Sequence, residues 1–207
     1  ISACLVGSEM CIRDSIWIQE HTEELVNTAD YIFRHPELSK EEVVSSACLS
    51  DYLEEKGFRI TKGIAGLQTA FVAEWGSGQP ILGFLAEYDA LPGLGQKPVC
   101  TYQPLKTPGH GCGHNLLGTA CAGAACALKE RMEKAQLSGT IRVYGCPAEE
   151  IILGKIQMNQ AGVFDDLDAA ITWHPFSFAP SISVIRRLEV PELEITTTTS
   201  SLFKFRV

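Results

Sequence analysis

The chain has 207 residues, of which 45% are hydrophobic and 20% are charged, and its formal net charge at pH 7 is −8. This length and composition fit a globular domain with a well-buried core, while the negative charge argues against nucleic acid or an anionic membrane as a partner. No apolar run approaches the roughly 20 residues that a membrane-spanning helix needs.

The first fifteen residues stand apart from the rest of the chain. Residues 5–15, LVGSEMCIRDS, resemble the translation of an adapter used in sequencing libraries. They lack the basic region followed by a hydrophobic stretch that marks a signal peptide, and they show no sustained hydrophobic period. We therefore expect residues 1–15 to be non-native and place the start of the folded domain at residue 16.

Two helices are predicted next. The first carries an apolar stripe with helical spacing and ends at Pro36. The second is expected to begin with a capping box formed by Ser39 and Glu42, and to end at Gly57.

Strands and helices then alternate. The predicted strands are FRIT (58–61), TAFVAEW (69–75), PILGFLAEY (80–88), GTIRVYGCP (139–147) and DAAITWHP (168–175). A helix rich in small residues is predicted over 115–134 and a shorter helix over 152–162. This alternation predicts an α/β fold with three αβα layers around a largely parallel mixed sheet.

Eight cysteines are too few for a disulfide scaffold in a chain of this length. Most lie among apolar or small residues, as Cys48, Cys121 and Cys126 do. This pattern indicates buried thiols in a reducing cytoplasm.

The side chains able to carry chemistry lie at the ends of predicted strands or just before a helix. They are Glu87, Asp89, His110, Cys112, His114, Glu149, Glu150 and His174. Sites in open α/β sheets form outside the carboxyl ends of the strands, so we expect these groups to converge. Within HGCGH, an extended backbone would also direct His110, Cys112 and His114 to the same side.

If these groups converge, their chemistry predicts a metal site. The expected ligands for one or two Zn²⁺ or Mn²⁺ ions are Cys112, His114, Glu150 and His174. Such ions lower the pKa of bound water and polarise a carbonyl, but a carboxylate that does not bind them must move the proton. Glu149 suits this role as general base and then general acid, while Asp89 is expected to orient a ligand.

Each residue alone also has a purely structural explanation. A lone cysteine is most often a small buried hydrophobic residue, and adjacent glutamates commonly begin a solvated helix. His174 before a proline fits a hydrogen-bonded turn histidine. The convergence of several segments on one sheet edge favours the metal site over these explanations.

Six segments, in this order along the chain, resemble the metallohydrolase family of aminoacylases, hippurate hydrolases and carboxypeptidase-G-type enzymes. They are RHPELSKEE (34–42), TAFVAEWGSGQP (69–80), EYDALPGLGQ (87–96), GHGCGHNLLGTA (109–120), GTIRVYGCPAEE (139–150) and FDDLDAAITWHP (164–175). The resemblance covers about residues 20–178 and implies a zinc-peptidase-like catalytic domain that hydrolyses N-acyl or N-aroyl amino acids. For the subgroup that matches best, the implied substrate is p-aminobenzoyl-glutamate, a product of folate breakdown.

The resemblance also implies the roles of the site residues and the cofactors. It implies two Mn²⁺ or Zn²⁺ ions per site and the same four ligands. It implies Glu149 as the catalytic carboxylate and Asp89 as its conformational support. Because His110 is not a ligand in related enzymes, it stays with Glu87 as a candidate for the layer of residues behind the ligands.

The resemblance further predicts the domain organisation. Residues 16–195 are expected to form the N-terminal part of the catalytic domain, and residues 196–207 the start of a lid and dimerisation domain. Through that domain we expect a homodimer, or a heteromer with an A-type paralogue. We predict that this fragment is inactive, because the last histidine ligand of the family lies beyond it. The chain departs from its relatives at residues 151–153, where they carry small residues.

Other functions remain open at this point. Cys112 is the candidate nucleophile of a cysteine hydrolase. The chain also fits a binding subunit that pairs with an active paralogue, or a dipeptidase of the same family. A purely structural zinc site is least expected, because the chain lacks paired Cys-x₂-Cys motifs.

Overall fold

The structure is a computed structural model that describes residues 16–175 in full and, beyond them, the backbone of strands at 181–187, 192–197 and 202–206. Its helices are α1 (Thr22–Arg34), α2 (Val43–Glu55), α3 (His114–Ala135) and α4 (Gly154–Gln160). A short helical segment at 16–20 precedes α1. The adapter-like residues 1–15 lie outside the described part of the chain.

The strands follow the predicted alternation and add a small hairpin. They are β1 (Arg59–Lys62), β2 (Phe71–Ser77), β3 (Ile81–Ala86), β4 (Gly95–Gln96), β5 (Pro104–Leu105), β6 (Gly139–Gly145), β7 (Ala169–His174), β8 (Ser181–Arg187), β9 (Glu192–Thr197) and β10 (Leu202–Arg206). The pair β4–β5 is antiparallel and lies inside the long loop between β3 and α3.

One mixed sheet organises the domain, with the strand order β1-β2-β6-β3-β7-β8-β9-β10. Strands β6, β3 and β7 are parallel to one another. The flanking strands on both sides pair antiparallel. The parallel part is therefore smaller than the sequence predicted, but it is the part whose carboxyl ends carry the candidate site residues.

Side chains alternate between the two faces of the sheet, as the period of a strand requires. Phe84 and Ala86 of β3 belong to the core beneath α1, α2 and α3, which includes Leu117 of α3. Leu85 between them belongs to a second core on the opposite face, with Met158 of α4. The predicted αβα layers are confirmed.

The capping box predicted for α2 is wrong. Ser39 donates its hydroxyl to Asp89 Oδ2 at 2.8 Å, and Glu42 is fully buried in contacts with other segments. Two first-turn amides of α2 donate instead to the carboxylate of Glu37, at 2.9 and 2.8 Å. A different acid therefore satisfies two of the free amides at the start of the helix, while Ser39 and Glu42 bond to distant segments.

Within the part of the chain that the structure describes, none of the helices has the length and hydropathy of a membrane span. The domain boundary expected at residues 195 and 196 stays a prediction.

Candidate metal centre

The candidate residues lie together at the carboxyl ends of β3, β6 and β7. Glu87 and Asp89 follow β3, and His174 is the last residue of β7. On the other side, α3 begins at His114 directly after Gly113, which has a left-handed backbone with φ of 81°. A Cβ at that glycine would lie 2.8 Å from the ring of Pro175, so the tight approach of this loop to β7 requires glycine.

His114 is the centre of the site and is fully buried. Its Nδ1 lies 2.9 Å from Asp89 Oδ1. Because a carboxylate oxygen accepts hydrogen bonds, Nδ1 carries the proton and donates it to Asp89. His114 Nε2 then faces Glu87 Oε2 at 3.1 Å and Glu149 Oε2 at 3.9 Å. An imidazole nitrogen that faces two carboxylates needs a positive charge between them, either a proton or a metal ion.

Cys112 and His174 extend the cluster on its other side. Cys112 Sγ lies 3.1 Å from His174 Nε2, and the rings of His114 and His174 meet edge-on with centroids 5.9 Å apart. Among the residues that the structure describes, two groups have ligand atoms within 4.8 Å of one another, and both include His114. They are Cys112, His114 and His174, and Glu87, His114 and Glu149.

Glu150 borders these groups without belonging to either. Its backbone amide donates to Asp89 Oδ2 at 2.9 Å, and its Oε1 lies 3.8 Å from His114 Nδ1. Among the described residues, Glu150 Oε1, Glu87 Oε2 and His114 Nε2 are buried without a hydrogen-bond partner. Glu87 and His114 belong to the same ligand group, and buried atoms left without a partner in this way fit a bound divalent cation.

The surroundings of Cys112 disfavour its thiolate. Burial, together with the nearby carboxylates of Glu150 and Glu149, raises the pKa of the Cys112 thiol to about 12. Without a cation the thiol stays protonated at neutral pH, which is the opposite of what a cysteine nucleophile needs. The arrangement therefore counts against the cysteine hydrolase.

Asp89 and His110 are both buried, but their pKa values are set by different surroundings. Burial disfavours the charged form of Asp89, but hydrogen bonds from His114, the Glu150 amide and Ser39 outweigh it and lower the pKa of this carboxyl. His110 is buried outside both ligand groups, and burial lowers the pKa of its ring to about 4. Asp89 is thus a stable anion that orients His114, while His110 is a neutral residue behind the site.

Sequence reasoning missed Lys155 in the first turn of α4. Its Nζ forms an ion pair with Glu87 Oε1 and lies 3.6 Å from Glu149 Oε1. Burial would lower the pKa of this ammonium group, but the nearby carboxylates, Glu87 foremost, raise it. A lysine in a first helical turn opposes the helix dipole, and this was the signal that could have identified it.

A family model described as peptidase family M20/M25/M40 matches residues 83–196. The chain is 47% identical over 165 residues to the B-type subunit of p-aminobenzoyl-glutamate hydrolase from Escherichia coli, covering 78% of this chain and 34% of that protein. It is 33% identical over 180 residues to the human Xaa-Arg dipeptidase, covering 79% of this chain and 38% of that protein. The chain thus spans little more than a third of the length of these curated relatives.

Solved structures also match this chain at the level of the fold. A dinuclear metal-binding peptidase of the M20 family from Bacillus subtilis matches with a TM-score of 0.64 and 30% identity, over 73% of this chain and 42% of that chain. An aminobenzoyl-glutamate utilization protein from Klebsiella pneumoniae matches with a TM-score of 0.55 and 19% identity, over 75% of this chain and 44% of that chain.

Proposed function

Because the chain belongs to peptidase family M20/M25/M40, we propose that it supplies the catalytic site of a metal-dependent amidohydrolase acting on N-acyl or N-aroyl amino acids. The observation that carries this proposal is the environment of His114. Asp89 holds its Nδ1, and its ring shares with Cys112 and His174 a group whose ligand atoms lie within 4.8 Å of one another.

The proposed metal ligands are Cys112, His114, Glu150 and His174. Their thiol, imidazole and carboxylate groups suit Mn²⁺ or Zn²⁺, and the buried oxygen of Glu150 without a hydrogen-bond partner supports its place among them. Two ions are proposed per site, as in the Bacillus subtilis peptidase, which is described as dinuclear. When bound, such ions act as Lewis acids toward a carbonyl and lower the pKa of water.

Glu149 is the proposed proton carrier. One of its oxygens lies 3.9 Å from His114 Nε2 and the other 3.6 Å from Lys155 Nζ. The carboxylate accepts a proton from the attacking water and passes it to the amide nitrogen as the C–N bond breaks. The products are a carboxylic acid and the free amine of the amino acid. Lys155 meanwhile holds Glu87 through their ion pair.

The proposed substrate is p-aminobenzoyl-glutamate, supported by the 47% identity to the Escherichia coli protein. Because that relative is named as one of the subunits of its hydrolase, a heteromer with an A-type paralogue is part of the proposal, beside a homodimer. A cytoplasmic location is proposed from the six cysteines of the described part, which are all free thiols.

A dipeptidase of the same family is the second candidate, favoured by the 33% identity to the human Xaa-Arg dipeptidase. Its chemistry would use the same residues, since a peptide bond is also an amide. The two candidates differ only in the groups on either side of the scissile bond.

Amide hydrolysis by the full-length protein tests the proposal. The protein is loaded with Mn²⁺ or Zn²⁺ and assayed with and without an A-type partner, and the released amine is measured for p-aminobenzoyl-glutamate, N-acetyl amino acids and Xaa-Arg dipeptides. We expect p-aminobenzoyl-glutamate to be cleaved with the highest kcat/KM. Preferred cleavage of the dipeptides would favour the second candidate, and no cleavage with any ion or partner would favour a non-catalytic binding role.

A further inference from the structure

A buried carboxylate outside the proposed ligand set, that of Glu42, reaches the turn that carries Glu149 and Glu150. Its side chain is fully buried just before α2. Glu42 Oε1 accepts the backbone amides of Lys40 and Ala148, each at 2.8 Å. Its Oε2 accepts the hydroxyl of Thr69 at 2.9 Å. One carboxylate thus joins the loop before α2, the segment before β2 and the turn after β6.

The turn after β6 has a backbone that needs such support. Ala148 adopts a left-handed conformation with φ of 56°, which is disfavoured for a residue with a Cβ. The turn is closed by Ile152 N donating to Glu149 O at 2.7 Å and by Leu153 N donating to Ala148 O at 3.1 Å. These local bonds leave the amide of Ala148 itself to be satisfied from outside, and Glu42 is its acceptor.

Two buried acids therefore hold the turn from opposite ends. Glu42 accepts the amide of Ala148, and Asp89 accepts the amide of Glu150 at 2.9 Å. Glu149 lies between these two anchored amides. Because adjacent side chains point in different directions, the backbone orientation here decides which glutamate faces which atom of His114.

We propose that Glu42 is a positioning residue, which fixes the backbone at Ala148 and thereby directs Glu149 and Glu150 to different sides of His114. The expected loss of kcat rests on the proposed function, whereas the hydrogen bond between Glu42 and the turn does not. A misplacement of about 1 Å at a reacting group can lower a rate roughly 10²-fold. Glu42 would thus act on the reaction without touching substrate or metal.

The test compares Glu42→Ala and Glu42→Gln in the full-length protein, with Glu37→Ala as the matched control. Glu37 lies on the same segment, and its carboxylate accepts hydrogen bonds from the first turn of α2 rather than from the 148–150 turn. We expect Glu42→Ala to lower kcat roughly 10²-fold, with a much smaller change in KM. Glu42→Gln keeps an oxygen for the two amides and should restore most of kcat. Glu37→Ala should lower the melting temperature by roughly 2–4 °C and leave kcat unchanged.

Hydrogen–deuterium exchange gives a readout that needs no activity. In Glu42→Ala, peptides that cover residues 146–153 should exchange faster than in the wild type, whereas in Glu37→Ala the increase should be confined to the start of α2. If Glu42→Ala does not fold, Glu42→Asp, whose carboxylate is one methylene shorter, replaces it.

The outcomes separate the two proposals. A wild-type protein that hydrolyses no amide contradicts the proposed function, and the exchange data then still decide whether Glu42 holds the turn. An active wild type whose Glu42→Ala variant keeps both kcat and the exchange of residues 146–153 overturns the positioning role. A folded Glu42→Gln variant as impaired as Glu42→Ala would also overturn it.

Discussion

Glu149 and Glu150 are neighbours in sequence, but their carboxylates face different atoms of His114. Glu149 Oε2 lies 3.9 Å from Nε2, and Glu150 Oε1 lies 3.8 Å from Nδ1. Because Glu149 is the proposed proton carrier and Glu150 a proposed ligand, we expect Glu149→Gln to lower kcat of the full-length protein by roughly 10²–10⁴-fold while its metal content is unchanged. Glu150→Gln should instead lower the metal content measured by elemental analysis. Loss of metal in Glu149→Gln would reverse the two roles.

Ile152 carries a conformational cost that the sequence alone does not reveal. It is 74% exposed, and its φ of 54° places a β-branched residue in the left-handed region. We expect Ile152→Gly to stabilise the protein by about 1 kcal/mol, because glycine adopts this conformation without the clash of a Cβ.

Ile151 is the matched control for this change. It is also exposed, at 53%, but is not among the residues with positive φ. Ile151→Gly should therefore lower the free energy of unfolding by about 0.5 kcal/mol, because glycine gives the unfolded chain more conformational freedom. Equal effects of the two substitutions in urea denaturation would show that strain at residue 152 is not the cause.

At the scale of elements, the packing of α3 against the end of β3 depends on one glycine. A Cβ on Gly118 would lie 2.5 Å from the backbone oxygen of Glu87 and 2.9 Å from Leu49 Cδ1. Gly118→Ala should push the helix away from the site and destabilise the protein by about 1–3 kcal/mol. A shift of the Glu87 backbone would also move its carboxylate, which faces His114, so we also expect a lower kcat.

Gly123 of the same helix provides the contrast. A Cβ there would meet flexible Leu25 carbons at 3.1 and 3.2 Å, which can move aside. Gly123→Ala should be neutral or stabilise the protein by up to about 1 kcal/mol through helix propensity. Urea unfolding curves of the two variants measure the difference, and a stable Gly118→Ala variant would contradict the close packing.

The sequence predicted the elements well because their signals are local. The apolar run predicted as a strand over 80–88 contains β3, which ends at Ala86. The chain leaves the sheet there because the following acids turn into the site. The capping box failed because its two residues have distant partners: Ser39 bonds Asp89 across 50 positions, and Glu42 bonds Ala148 across 106. Contacts of this range leave no trace in a local pattern.

At the scale of the whole molecule, family membership was predictable from six ordered segments, and the match over residues 83–196 confirms it. Lys155 stood out in the sequence as a lysine in a first helical turn, but its partner Glu87, 68 positions away, could not be predicted. Nor did the alternation of strands and helices indicate that β2 pairs antiparallel with β6. The convergence of the site residues, by contrast, followed from the rule that sites form at the carboxyl ends of parallel strands.

The charge balance at the site links metal binding to the stability of the whole domain. Glu87, Glu149 and Glu150 surround His114, and burial together with the carboxylates raises the pKa of Cys112 to about 12. Bound divalent ions would offset this repulsion and stabilise only the folded state. At a free metal concentration 100 times the Kd, the gain is about 2.7 kcal/mol. For a domain of this size that corresponds to a rise in melting temperature of roughly 5–10 °C.

We therefore expect EDTA to lower the melting temperature and abolish amide hydrolysis, and Mn²⁺ or Zn²⁺ to restore both. In Cys112→Ala the rise in melting temperature on adding metal should be much smaller, because one proposed ligand is lost. Iodoacetamide should have little effect on the metal-loaded protein, since the thiol is then occupied. The opposite pattern, in which EDTA changes neither property and iodoacetamide abolishes activity, would require Cys112 to be the nucleophile despite its acidic surroundings.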